Sequence, residues 1–290
     1  MKFYSFYLQK SSSQEYNEVS RKQRLAFSLP YFELYATYYT LISTNMSGHS
    51  KWSTIKRQKG ANDAKRGQAF TKLSKAISMA IRESGGNADP DTNFRLRLAI
   101  DAARAANMPK DTIERAMTRA ASKGEGEMFE VVYEGFGPAG VSVIVEAITD
   151  NKQRTTPEIK TLFDKSGGTL GVQGSVGYQF SQKGQITVTK NGRSLDDIFL
   201  LAADYGAEDV EDAGGDEVHI YTRSDGLGGM RKALLEQAIM ISGAEIIYKP
   251  IVYQQVSGSD QTEKVIGFME KLEDHDDVQK VYANFEIVEG

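Results

Sequence analysis

The hydrophobic period of this chain first changes near Gly126, and that change fixes its layout. Between Phe70 and Met117 apolar residues recur at steps of three and four, the pattern of a helical face, whereas from Phe129 onward they arrive as β-branched runs. The switch falls in the stretch Ser122 to Glu127, so a helical domain is expected before it and an α/β body after it. The first helix reads from Asn62 to Ser84, with Phe70, Leu73, Ile77, Ala80 and Ile81 on one stripe and Gly85-Gly86 closing it. At 100° per residue Lys65, Lys72, Lys75 and Arg82 fall on the opposite face, where burial of the apolar stripe is expected to present them to solvent as a row. Asp91 or Thr92 is expected to cap a second helix through Phe94, Leu98, Ile100 and Ala103, and Pro109 to open a third holding Ile113, Ala116 and Met117.

In the body, Phe129 to Phe136 and Val141 to Thr149 read as strands joined by a glycine turn. A helix follows, capped by Thr156 with Pro157 in its first turn, and then a strand around Val176 to Phe180. From Gln185 the order is strand, helix (Leu195 to Tyr205), strand, strand (Glu217 to Thr222), helix (Leu227 to Ile241), strand (Ala244 to Tyr248). That is the βαββαβ order of a ferredoxin-like domain, complete in itself. The helix from Asp260 to Glu273 and the strand from Val278 to Val288 are then left to pair with the earlier pieces. The expected fold is α+β and multi-domain: a three-helix N-terminal domain (46–126), then two ferredoxin-like α/β domains, one (183–249) inserted in the other (127–182 with 250–290). Residues 1–45, rich in Tyr and Ser and without clear period, read as an appendage: a loose leader, an organellar presequence, or sequence upstream of a start at Met46. Glu15, Glu18 and Glu33 beside Arg21 and Arg24 count against a transit peptide.

Charge is distributed as unevenly as the period. The net of −4 divides into +2 over 1–45, +8 over 46–126 and −14 over 127–290. A basic block on an acidic body is the arrangement expected when one domain contacts phosphate and the rest is repelled by it. The chain has no cysteine, which excludes disulfides and thiolate chemistry and fits a reducing, cytosolic setting. No apolar run is long enough to span a membrane.

Gly135-Phe-Gly-Pro-Ala-Gly140 fits a phosphate-loop spacing, but Val141 to Val145 resumes as a strand where that loop would open a helix, so it reads as a hairpin turn. His49, His219 and His275 lie far apart in sequence, and Glu273-Asp-His-Asp-Asp277 lacks the rhythm of a calcium loop and reads as a solvated turn. No catalytic residue, metal, cofactor or small-molecule substrate is predicted. The segment Gly48 to Gly60 sets the one tryptophan, Trp52, among Lys51, Lys56, Arg57 and Lys59: cations for phosphates and an indole to stack on an unpaired base. Trp52 as an anchor on the helical core is the competing reading. Asn151 to Thr155 sits at a strand-to-helix junction where main-chain amides with Lys152 or Arg154 can meet a phosphate, or simply start a helix.

Gly48-His-Ser-Lys-Trp52, Asp63-Ala-Lys-Arg-Gly-Gln-Ala-Phe-Thr-Lys-Leu73, Tyr133-Glu-Gly-Phe-Gly-Pro138 continuing to Gly140, Asp150-Asn-Lys-Gln-Arg-Thr155 and Gly174-Ser-Val-Gly-Tyr178 together resemble the YebC family. Its eukaryotic relatives include the mitochondrial translational activator of cytochrome c oxidase. The resemblance runs from Met46 to near the C-terminus and implies a helical first domain, two α/β domains with the third inserted in the second, a cytoplasmic setting and no catalytic activity. Members of the family have been described both as DNA-binding transcriptional regulators and as ribosome-associated translation factors. The expectation is a nucleic-acid-binding regulator of gene expression, leaning to RNA at the ribosome, with duplex DNA and a protein-interaction scaffold as alternatives. Its contacts are expected from Lys51, Trp52, Lys56, Arg57, Lys59, Lys65, Arg66, Lys72, Lys75, Lys152 and Arg154, and its partners are ribosomal RNA or DNA and ribosomal proteins.

Overall fold

A computed structural model describes residues 63–122 and 126–288, and opens with three helices. They are α1 (Asp63–Glu83), α2 (Phe94–Ala105) and α3 (Lys110–Ala121). Ile77, Ala80 and Ile81 of α1 pack with Leu96, Ile100 and Ala103 of α2 and Ile113, Ala116 and Ala120 of α3. The cap of α2 is Asn93 rather than Asp91 or Thr92: its side chain accepts from the Leu96 amide at 3.0 Å and donates to the Ala80 carbonyl at 2.9 Å. An amide side chain does both jobs at once, closing α2 and tying it to α1, which a carboxylate cannot.

The first sheet contains β1 (Phe129–Phe136), β2 (Ser142–Thr149), the short β3 (Thr169–Leu170) and β9 (Val278–Ala283), in the order β3-β1-β2-β9. β1 and β2 form an antiparallel hairpin from Phe129 opposite Thr149 to Phe136 opposite Ser142. The glycine motif is thus the hairpin turn. Gly135 and Gly137 are there for space, since a Cβ on Gly135 would stand 2.6 Å from the Phe163 ring and one on Gly137 2.6 Å from the Phe268 ring. Those rings belong to α4 (Lys152–Lys165) and α7 (Ser259–Glu273), which cover one face of the sheet with Ile159, Val265 and Leu272 beside them.

Between β3 and α7 the chain builds a second antiparallel sheet, from β4 (Phe180–Thr189), β5 (Asp209–Gly214), β6 (Glu217–Arg223) and β7 (Ile241–Pro250), in the order β5-β6-β4-β7. With α5 (Leu195–Ala203) and α6 (Leu227–Glu236) packed over Ile186, Val188, Val218 and Ile220 it has ferredoxin-like topology. The chain then returns to the first sheet, giving one α/β unit inserted in another. Ile144 and Tyr282 of the first sheet meet Tyr221 and Ile247 of the second in a shared apolar contact.

Four expectations need correction. The helix after β2 is capped by Asn151, not Thr156, because the Asn151 side chain already accepts from the Gln153 and Arg154 amides; Pro157 therefore lies inside the helix. Val176 to Phe180 is not a strand: Gly177–Gln179 is a 3-10 turn and β4 begins at Phe180. The helix read to Ile241 stops at Glu236, because Ala238 turns the chain with φ 54°. The strand read from Val278 to Val288 breaks at Asn284, whose side chain accepts from the Ser142 amide and donates to Gln179 and the Val252 carbonyl. Its second half is β10 (Phe285–Val288), which leaves the sheet and pairs in parallel with β8 (Gln254–Ser257).

α1 sits against this body as well as against α2 and α3, touching β2 and β9. Residues Ile77 to Ile81, Ser78 and Met79 included, are consequently all buried. A helix with one apolar stripe is enclosed on two sides.

Candidate nucleic-acid interface

Gln68, Lys72, Lys75 and Arg82 follow one another on α1 at steps of four, three and seven, which is a single face of a helix. Gln68, Lys72 and Lys75 lie on the turn between α7 and β9, and Arg82 donates to the Gly126 carbonyl. Lys72 Nζ donates to the Glu273 carbonyl, and Lys75 Nζ donates to the Asp276 carbonyl at 3.1 Å and to Asp277 Oδ1 at 2.6 Å. Gln68 Nε2 donates to the Asp274 carbonyl and to Asp276 Oδ1 at 3.0 Å. The expectation that Lys72 and Lys75 form a row facing solvent is therefore corrected. With its apolar stripe buried on α2 and α3, the helix turns its cations onto the acidic turn of its own body. The reading of Glu273 to Asp277 as a solvated turn is corrected with it: Asp274 and Asp276 are exposed, but Asp277 is only 3% exposed.

Asp277 is the hub of the contact. Its Oδ2 accepts from Arg154 Nη2 at 2.8 Å and from Thr155 Oγ1 at 2.6 Å, so three donors from α1 and α4 converge on one carboxylate. Burial alone would raise its pKa, but the bonds from Lys75, Thr155 and Arg154 outweigh it and hold the group well below the usual carboxylate range. Thr155 is positioned in turn by Thr149, Oγ1 to Oγ1 at 2.8 Å. Arg154 also pairs with Asp150 at 3.1 Å, and Lys152 Nζ stands 4.4 Å from the centre of the Phe129 ring. The helix start at which a phosphate was expected is filled from within: Asn151 takes the amides and Asp277 takes Arg154.

Of the other predicted contacts, Lys51, Trp52, Lys56, Arg57 and Lys59 lie outside the described residues, as does the side chain of Lys65. Arg66 is exposed and borders a cleft of about 1590 Å³ between α1, α2, the β2–β9 edge and β7. Opposite charges in that cleft's lining pair with each other, Arg95 with Glu130 at 2.7 Å and Lys280 with Glu245 at 2.6 Å. Burial raises the pKa of Glu146 there, against the pull of Lys280.

A second buried carboxylate escaped sequence reasoning. Glu134, 8% exposed, accepts from the amides of Gly174, Val176 and Gly177 at 2.8, 2.8 and 2.7 Å. Burial pushes its pKa up, and the three amides overcome that and leave it lowered. It fixes the loop that carries Tyr178, which is 74% exposed. Among the described residues no group of His, Asp and Glu could hold a metal ion, and no helix is long and apolar enough to cross a membrane.

Residues 50–123 match the model of the TACO1/YebC protein N-terminal domain, and residues 128–285 that of the TACO1/YebC second and third domain. The chain belongs to the TACO1/YebC family. A relative from Chloroflexus aggregans is 48% identical over 245 residues, covering 83% of this chain and 96% of its own. One from Desulfitobacterium hafniense is 44% identical over 248 residues, covering 84% and 97%. Both are called probable transcriptional regulatory proteins. The crystal structure of a conserved hypothetical protein from Aquifex aeolicus is similar at a TM-score of 0.71 and 43% identity, over 79% of this chain and 93% of that one.

Within this TACO1/YebC chain, motifs that carried the resemblance have identifiable structural work. Asp150 to Thr155 builds the cradle of Asp277, and Glu134 of the Tyr133 to Pro138 motif holds the Gly174 to Tyr178 motif. For Glu134 the signal in sequence is only an unmatched carboxylate in an otherwise apolar run; Asp277, one of a run of acids, has none.

Proposed function

We propose that this chain is a non-enzymatic, cytoplasmic, nucleic-acid-binding regulator of gene expression, and that its target is structured RNA at the ribosome. The observation that carries the proposal is charge: +8 over 46–126 against −14 over 127–290, with six cations and one acid, Asp63, between Lys51 and Arg66. Each phosphate neutralised by such a block releases condensed counterions, and Trp52 among the cations adds stacking on an unpaired base of roughly 1 to 3 kcal/mol. Because Lys75 and Arg154 are engaged by the Asp277 carboxylate and Lys72 by the Glu273 carbonyl, the first phosphate contacts fall to Lys51, Lys56, Arg57, Lys59 and Lys65. The acidic body keeps the rest of the protein off the phosphates and offers a surface to basic ribosomal proteins.

Duplex DNA is the second reading, and the naming of the relatives as probable transcriptional regulatory proteins favours it. The connection of α2 to α3 through residues 106–109 also has helix-turn-helix order. Against it, the exposed side of α3 carries Asp111 and Glu114 among Lys110, Arg115 and Arg119, with Lys110 3.4 Å from Glu114. Such a helix of mixed charge brings carboxylates next to phosphates if it enters a groove. Sedimentation of the native protein through a sucrose gradient of cell lysate, with and without ribonuclease and at two salt concentrations, tests the choice. Co-migration with ribosomal particles that weakens with salt supports RNA. Migration as free protein throughout overturns it and favours DNA.

A further inference from the structure

We infer that the outer face of α5 is a docking surface for a basic, amphipathic helical segment of a partner protein. The inference rests on the part of the functional reading that turns the acidic body toward basic ribosomal proteins, and gives that contact an address. α5 carries two apolar stripes. Ile198 and Ala202, with Leu195 and Leu201 beside them, pack into the core of the inserted domain. On the other side Asp196, Phe199, Leu200 and Ala203 follow at steps of three, one and three, a single helix face, and all four are exposed, Phe199 by 47% and Leu200 by 65%. A surface helix ordinarily keeps its outer side polar, and a helix apolar all round is one that is covered all round. The apolar area continues past the helix. Tyr205 is exposed, and its hydroxyl accepts from Gln237 Nε2 at 3.0 Å, which brings it to the end of α6, where Leu235 is exposed as well.

Charge decides what kind of partner fits. From Ser194 to Asp216 the chain has eight acids and no Lys or Arg. Lys183, Lys190 and Lys249 pair with Glu208, Asp209, Glu211 and Asp212, but Asp196 and Asp204, at the two ends of the exposed stripe, stand outside those pairs. Asp197 closes the start of α5 in a capping box with Ser194. The face therefore has an apolar centre and an acidic rim, which repels phosphate and attracts Lys and Arg. The same rim disfavours a second α5 face, whose acids would meet like charge. Its complement is a helix with apolar residues at steps of three and four and cations flanking them, laid so that its anchors rest on Phe199 and Leu200. A surface set by a helix of 9 residues suits a transient contact rather than a permanent one.

The test uses the full chain and two fluorescein-labelled peptides of about four helical turns, identical in their Leu and Lys composition. One sets its leucines at steps of three and four; the other is scrambled and has no apolar face. The first is expected to bind with a dissociation constant on the order of tens of micromolar and the second at least about fivefold more weakly. Phe199→Gln with Leu200→Gln removes the anchors at exposed positions of a helix that glutamine suits, and should weaken the first peptide about tenfold. Leu200→Gln alone, at the more exposed site, should weaken it about threefold and serves if the double variant melts early. Val172→Gln with Ile251→Gln, equally exposed apolar residues away from α5, should change it by less than about twofold. Asp196→Asn with Asp204→Asn should weaken it about threefold and flatten its salt dependence. Equal binding of the two peptides, or equal loss from the two double glutamine variants, overturns the docking surface while the nucleic-acid reading stands. A dimer in analytical ultracentrifugation that F199Q/L200Q dissociates overturns it too, since a second copy then covers α5. So does a loss of RNA-hairpin affinity in F199Q/L200Q, since the face then serves nucleic acid. A native chain that binds the first peptide selectively but no RNA supports the docking surface and fails the nucleic-acid reading.

Discussion

Lys75 and Asp277, 202 residues apart in sequence, stand 2.6 Å from each other and join the helical part of the molecule to the α/β body. Arg154 and Thr155 reach the same carboxylate from α4, so the contact ties three elements together. Removing the acid from a buried, doubly paired site strands its partners, so Asp277→Ala is expected to destabilise the chain by about 3 kcal/mol or more in urea melts. A loss under about 1 kcal/mol would show that the junction is held by apolar packing alone.

The same carboxylate predicts a pH dependence. Its folded pKa is depressed, so the stability it contributes is present above the ordinary aspartate range and is lost as pH falls toward the folded value. The stability gap between the native chain and Asp277→Asn should stay flat from about pH 8 to about pH 5 and shrink below about pH 4. A gap that grows on acidification contradicts the assignment.

Glu134→Gln should loosen one loop selectively. A glutamine offers one acceptor oxygen where the carboxylate offers two, and it turns an NH₂ toward the amides now bound by them. We expect a loss of about 2 kcal/mol and faster hydrogen exchange at Gly174, Val176 and Gly177, with exchange in α2 and α3 unchanged. Uniform exchange across the chain would contradict a local role.

Gly135→Ala separates a structural from a phosphate-binding reading of the glycine motif. The added Cβ would lie 2.6 Å from both the Phe163 ring and the Thr169 carbonyl, so about 1 to 3 kcal/mol of stability should be lost. Nucleic-acid affinity, measured where the variant is fully folded, should not change.

The elements were legible in the sequence because each follows from a local period, and the ferredoxin-like unit because its βαββαβ order is complete between β4 and β7. Three of the misplaced ends have a common cause. Asn93, Asn151 and Asn284 each use the side-chain amide to hold a main-chain group, two of them reaching a distant strand or helix, and composition does not say which of several polar residues has a partner waiting. The cationic stripe of α1 was legible for the same reason as its apolar stripe. Its destination was not: nothing local to Lys72 or Lys75 announces a turn some 200 residues later, nor does the acidic run announce that one of its members, Asp277, is buried.

The central claim is that the basic block carries the nucleic-acid contact, and equilibrium binding of the full chain to purified ribosomal RNA over a salt series tests it most directly. Native protein is expected to bind with log affinity falling linearly in log salt, and reversal of charge at Lys51, Lys56, Arg57 and Lys59 should lower affinity by at least about tenfold and flatten the slope by about two to four. Affinity and slope unchanged by that reversal, or no binding at low salt, would contradict the account.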